Sequence, residues 1–146
     1  MKLISNMEIK IKKLDKNAVI PQYAHPGDAG MDIVATSITE TEDYIEYGTD
    51  LAFRLPDNHV MLIFPRSSNS KKDLLLCNSV GVLDSQYIGE LKIRYKRTKN
   101  PSDKIYSVGE RVAQIMILPY PKVEFKEVEE LSQTERGEGG FGSTGK

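Results

Sequence analysis

An all-β sandwich or barrel is the fold class this sequence predicts, on three observations. Apolar and charged residues alternate with period two in several short runs. Turn-forming residues recur at short spacing between those runs, and the best helix candidate, "SKKDLLLCN", is short. A length of 146 residues suits one domain with a real core, and 39% hydrophobic with 28% charged residues is ordinary for a globular chain.

From the N-terminus, "MEIKIK" sets Met7, Ile9 and Ile11 against Glu8, Lys10 and Lys12, a strand with one face in a core and one in water. "HPGDAGMDI" (25–33) places two glycines and two acids in a tight turn before a strand; it reads as an ordinary Asp/Gly turn or as acids held for a metal. In "LAFRL", Leu51, Phe53 and Leu55 share a face. "HVMLIF" and "VAQIMIL" are more continuously apolar, as strands buried on both sides would be. "FPRSSNSKK" (64–72) ends a strand and then offers an arginine, serines and lysines, either a solvated loop or a grip for an oligophosphate. "SKKDLLLCN" is a short helix or a turn leading into a strand.

"NSVGVLDSQYIGEL" (78–91) reads as a hairpin holding Asp84 near Tyr87, either a plain surface hairpin or a carboxylate that orients a water beside an aromatic ring packed on a substrate. In "LKIRYK", Leu91, Ile93 and Tyr95 oppose Lys92, Arg94 and Lys96. "GERVAQIMILP" (109–119) is a turn and a strand in which Gln114 needs a partner or a ligand. "YGTD", "LPDN", "KNPSDK", "SVGE" and "LPYP" supply further turns. Beyond Pro121, "KVEFKEVEEL" is strand-like. The final "RGEGGFGSTGK" has glycines of large ordering entropy and only Phe141 to bury, so it is expected to stay disordered until something binds. Its Gly140–Lys146 portion satisfies the G-x-x-x-x-G-K core of a phosphate loop, but with no strand before it and no helix behind it. With no repeat and no linker, the chain divides into one β domain, 1–135, and a mobile arm, 136–146.

The net charge of −1 gives no global field toward nucleic acid or an anionic membrane. Cys77 is alone, which excludes an intrachain disulfide and a multi-cysteine zinc site. No signal-peptide pattern opens the chain, and no apolar stretch reaches the roughly 18 residues of a membrane span, so a cytoplasmic location is expected. Taken together, acids for a metal, Arg/Ser/Lys for phosphates, one carboxylate as base, one aromatic and a gripping tail suggest metal-assisted hydrolysis of a nucleoside polyphosphate.

Five stretches, in order and character, resemble the five motifs of the homotrimeric dUTPase family: "AGMDI", "PRSS", "NSVGVLDSQYIGEL", "GERVAQI" and "RGEGGFGSTG". The resemblance implies a jelly-roll-like β fold, a homotrimer with active sites shared between subunits, and hydrolysis of dUTP to dUMP and pyrophosphate, which keeps uracil out of DNA. By the same resemblance, Asp84 activates the water that attacks the α-phosphorus. Asn78, Gly81 and the backbone of Val82 and Leu83 read uracil, and Tyr87 packs on deoxyribose so that a 2′-hydroxyl has no room. Arg66, Ser67, Ser68 and Gln114 hold phosphates, and Lys92 contacts substrate beyond the hairpin. Asp32 positions waters around Mg²⁺, which the triphosphate mainly binds. The arm is implied to close over the substrate from another subunit, with Arg136 on the γ-phosphate, Phe141 on uracil, and Gly142, Ser143 and Thr144 on the phosphates.

Three departures stand out. Ser68 replaces the glycine of the more usual Pro-Arg-Ser-Gly, Ile88 stands where arginine is common, and His25 and Asp28 stand where small hydroxyl residues are frequent. Two neighbouring readings remain. One is the sister dCTP deaminase family, against which the intact arm and the Asp84–Tyr87 segment count; the other is a trimer that binds a regulatory protein with nucleotide occupancy as the switch.

Overall fold

The structure is a computed structural model describing residues 6–145; residues 1–5 and 146, and with them the start of the N-terminal segment and the last residue of the tail, lie outside the described residues. The described chain forms strands β1 (Lys10–Lys13), β2 (Met31–Val34), β3 (Ser37–Glu40), β4 (Ile45–Arg54), β5 (His59–Phe64), β6 (Leu74–Leu76), β7 (Gly81–Leu83), β8 (Glu90–Arg97) and β9 (Arg111–Pro119), with a 3₁₀ turn at Ser67–Lys71. All pairings are antiparallel. One sheet runs β1-β4-β8-β6, with β3 also paired to β4, and the other runs β2-β9-β5-β7. The all-β expectation therefore holds.

The alternation of β8 is realised as read: Leu91, Ile93 and Tyr95 are buried while Lys92, Arg94 and Lys96 are exposed. Those apolar faces join Ile45, Tyr47 and Leu51 of β4 and meet Ile33, Met61, Ile63, Val112 and Ile115 of the other sheet in one core. Tyrosines tie the layers. The Tyr95 hydroxyl donates to the Val112 carbonyl at 2.6 Å, and the Tyr47 hydroxyl donates to the Tyr106 carbonyl at 2.9 Å. A buried phenol needs such a partner, and its ring supplies the apolar contact. The Tyr47 ring meets Tyr95 and Tyr106 edge-on, at 6.0 and 5.9 Å between centroids.

Burial pushes the Tyr47 phenol up to about 12, against the opposing pull of its hydrogen bond to Tyr106. The folded value lies above an unfolded value near ~10, so the stability that Tyr47 contributes is complete below that pH and is lost as pH rises through about 12. Denaturant unfolding followed across this window should show declining stability, with a shallower decline in Tyr47→Phe.

One open reading is resolved and three expectations are corrected. "SKKDLLLCN" takes its second reading: the 3₁₀ turn leads into β6, because Leu74 and Leu76 are drawn into the core while Leu75 faces out. "KVEFKEVEEL" forms no strand; Val123, Phe125 and Leu131 are exposed, and the segment pairs with no strand among the described residues. β5 buries only Met61 and Ile63, and β9 leaves Leu118 and Pro119 exposed, so neither strand is covered on both sides throughout. Finally, β7 and β8 are not the two arms of one hairpin: β7 pairs with β5, and β8 with β4 and β6, so the segment 84–89 crosses from one sheet to the other. It still turns tightly, with the Tyr87 N–H donating to the Asp84 carbonyl at 3.1 Å.

Candidate active site

Two clefts, one at each outer strand of the four-stranded sheet, gather most of the residues singled out above. The first, about 490 Å³, opens beside β7 and is lined by Asn78, Gly81, Val82, Leu83, Asp84, Tyr87 and Lys92, together with Glu46, Cys77, Glu90 and Arg94. Its floor depends on close approach: Gly81 lies opposite Ile63 on β5, and a Cβ at Gly81 would stand 2.9 Å from that of Ile63. With this contact made, Leu83 is buried, Val82 is exposed, and Asp84 emerges exposed at the strand end. A strip of backbone with free edges beside a water-accessible carboxylate is what reading a flat base and activating a water would require. Lys92 sits among acids, 3.6 Å from Glu46 and 3.8 Å from Glu90.

The second cleft, about 650 Å³, is lined by Asp28, Gly30, Asp32, Pro65 and Gln114 among others. Register explains the grouping: Asp32 of β2 and Phe64 of β5 both stand opposite Gln114 of β9. The Gln114 amide finds its partner in the Pro65 carbonyl at 3.0 Å, which fixes the strand end just before Arg66. Arg66 then reaches back across the sheet, its Nε donating to Asp32 Oδ1 at 3.0 Å and its Nη1 to Ser68 Oγ at 3.2 Å. Arg111 approaches the other Asp32 oxygen at 3.7 Å. Ser67 and Ser68 open the 3₁₀ turn that ends at Lys71. Arg66, Ser67 and Ser68 do not line this cleft themselves; they adjoin it through Asp32 and Pro65, and two guanidiniums on one carboxylate beside serine hydroxyls make a polar group suited to phosphate oxygens.

The two groups do not meet within one chain. β2 and β7 are the outer strands of their sheet, three spacings or roughly 14 Å apart. Asp84 follows Leu83, the partner of Met61, three positions back along β5 from Phe64. Nor does the tail line either cleft. Arg136 Nε donates to the Gly139 carbonyl at 2.8 Å, Gly142 and Phe141 take positive φ, and Phe141, Ser143 and Thr144 are exposed.

The profile of the dUTPase family matches residues 16–145. This chain belongs to the dUTPase family. A deoxyuridine 5'-triphosphate nucleotidohydrolase of Thermobifida fusca (strain YX) is 36% identical over 98% of this chain and 82% of its own length. The enzyme of that name from Nautilia profundicola is 41% identical over 96% of this chain and 100% of its own. Among solved structures, the Staphylococcus bacteriophage 80alpha dUTPase with dUPNHPP aligns with a TM-score of 0.81 at 33% identity, covering 96% of this chain and 99% of that one. The two antiparallel sheets are thus the dUTPase β fold.

Among the lining residues of this dUTPase family member, Glu46, Glu90 and Arg94 escaped the sequence reading. Glu46 and Arg94 face each other across β4 and β8, joined at 2.6 Å; Arg94 reads in the sequence as an ordinary outward strand position, and Glu46 lies before the first alternating run read in β4. Glu90 carries a faint signal, an acid at the head of an alternating strand directly after a glycine.

Proposed function

We propose that this chain, a dUTP diphosphatase, hydrolyses dUTP to dUMP and pyrophosphate by attack of an Asp84-activated water on the α-phosphorus. The observation that carries this reading is the exposed Asp84 carboxylate at the end of β7, in the same cleft as Asn78, the Gly81–Leu83 backbone and Tyr87. Asp84 takes the water's proton as the oxygen–phosphorus bond forms and the pyrophosphate oxygen departs. Asn78 and the β7 backbone bind the uracil edge, and Tyr87 covers the sugar. Arg66, Ser67, Ser68 and Gln114 hold the phosphates, with Arg66 exchanging its Asp32 partner for phosphate oxygens. Arg136, Phe141, Gly142, Ser143 and Thr144, on the mobile arm 136–146, close over the bound nucleotide and exclude bulk water.

The dUTPase family typically depends on Mg²⁺, and the donor set here suits an ion bound through water. Asp32 is already shared by two arginines, and among the described residues no group of three or more His, Cys, Asp and Glu side chains forms a cage. Mg²⁺ keeps several waters and takes phosphates as ligands, so Asp32 would accept hydrogen bonds from its hydration shell. The ion would supply charge neutralisation and a fixed triphosphate conformation.

A homotrimer with shared sites accounts for the separation of the two groups, since one copy would present the Asp84 cleft to another copy's Asp32–Arg66 group. The exposed Val123, Phe125 and Leu131 support it, being apolar side chains beyond the last strand with no cover in their own chain. Among the described residues no helix is long and apolar enough to cross a membrane, and we place the enzyme in the cytoplasm with its nucleotide substrate.

The test is pyrophosphate release with Mg²⁺ from dUTP, dTTP, dCTP and UTP side by side. Release from dUTP alone is expected; release from none would leave a binding role, and ammonia from dCTP would assign the deaminase chemistry. A second reading, nucleotide-switched binding of a regulatory protein, draws on the Staphylococcus bacteriophage 80alpha dUTPase, one of the phage dUTPases that control transfer of virulence genes by a proto-oncogenic G protein-like mechanism. A pull-down with and without dUpNHpp discriminates, and capture indifferent to nucleotide counts against the switch.

A further inference from the structure

The turn from Asp84 to Gly89 carries the base and the sugar contact, yet five of its six residues are exposed, so its position must be set from outside it. Its C-terminal end runs into Glu90, the first residue of β8. The Tyr87 hydroxyl donates to the Glu90 carbonyl at 2.9 Å, folding the ring back over Gly89, where a Cβ would stand 2.7 Å from the phenol oxygen. The Glu90 carboxylate is committed elsewhere. Its Oε1 accepts from the N–H groups of Thr49 at 3.2 Å and Asp50 at 3.0 Å. Both donors fall in the gap of the β4–β8 register between Gly48 and Ala52, where Asp50 takes a φ of 53° and the sheet ladder offers them no partner on β8. The gap is braced further by the Thr36 hydroxyl on Asp50 at 2.6 Å and the Thr49 hydroxyl on the Leu91 carbonyl at 2.7 Å.

We infer that Glu90 is a positioning residue for sugar selection: its carboxylate oxygen holds the irregular stretch of β4 and thereby fixes where the Tyr87 ring lies over the cleft. The inference rests on the reading of Tyr87 as the deoxyribose contact. The physical chain is short. A ring that excludes one added hydroxyl works by steric fit, and a small displacement of the ring opens the room it denies. Residue 90 controls that displacement because its carbonyl holds the ring and its side chain holds the neighbouring strand. The ammonium of Lys92, 3.8 Å from Glu90 Oε2, is a separate electrostatic tie, which an isosteric amide removes while leaving the two N–H bonds in place.

The experiment measures kcat/KM for dUTP and for UTP in the full-length enzyme and its variants, with thermal unfolding of each alongside. Glu90→Gln should keep the dUTP-over-UTP preference within about twofold, because an amide oxygen accepts the same two bonds. Glu90→Ala should lower it about tenfold or more, with dUTP turnover at saturation much less affected. Glu90→Asp, charged but one methylene short, should behave like Glu90→Ala and carries the test should the alanine variant fail to fold. A fall in kcat/KM for both nucleotides at unchanged preference would mean a merely structural role and overturn the inference. Tyr87→Leu separates the two layers. Lost preference in Tyr87→Leu with intact preference in Glu90→Ala overturns Glu90 alone, whereas intact preference in Tyr87→Leu overturns the sugar reading and this inference with it.

Discussion

Asp84→Asn should bind dUTP and fail to turn it over, with kcat reduced by about 10² to 10⁴-fold, the range a positioned general base supplies. The amide is isosteric and can hydrogen-bond the attacking water, but it cannot accept the proton released as the new phosphorus–oxygen bond forms. The substitution is structurally mild because Asp84 is exposed and follows β7 without contributing to the core. Stability should therefore be unchanged within ~0.5 kcal/mol. Titration with dUpNHpp and a single-turnover assay separate the two quantities: near-normal affinity with a collapsed chemical step is the expected pair. A fully active variant would move the base to another residue.

Removing residues 136–146 should leave the oligomer intact and lower the rate on the order of a hundredfold, the scale lost when a closing element no longer aligns and seals the reactants. The tail contributes nothing to the core, and Arg136 finds its partner within the tail itself. Phe141 is fully exposed, a large ring that would be covered by a stacked planar ligand if the proposed closure holds. Glycines allow the backbone to approach phosphate oxygens closely, at the entropic cost of ordering them, so closure should be driven by the nucleotide and absent without it. Size-exclusion chromatography of the truncated protein checks the first half and steady-state kinetics the second. A truncated chain eluting as a monomer would assign the tail to assembly rather than closure.

Much of this architecture is visible in the chain because period-two alternation reports which face of a strand is buried. Leu91, Ile93 and Tyr95 declare themselves in that way, and turn chemistry marks the tight segment that begins at Asp84. Alternation does not report which strand lies alongside. Two apolar runs separated by a tight turn look like a hairpin, yet β7 and β8 belong to different sheets, since the pairing is decided by β4, β5 and β6 elsewhere in the sequence. "KVEFKEVEEL" has the composition of a strand but pairs with no strand among the described residues, so its local pattern and its observed state disagree for want of a partner. The site divides along the same line. Residue types and motif order pointed to Asp84, Tyr87, Arg66 and Gln114, whereas Glu90 acts on backbone groups 40 and 41 positions away, whose need for an acceptor arises only in the folded register.

The separation of the Asp84 cleft from the Asp32–Arg66 group would have a genetic consequence. If sites are shared between copies as proposed, a chain defective at Asp84 would still carry a sound phosphate-binding group, and a chain defective at Arg66 would still carry a sound base. Two inactive alleles of different kinds, expressed together, would assemble mixed oligomers in which some junctions pair the two sound halves, and activity would return. Two alleles damaged in the same one of these two groups would not rescue one another, so lesions in the two groups would sort into two complementation classes.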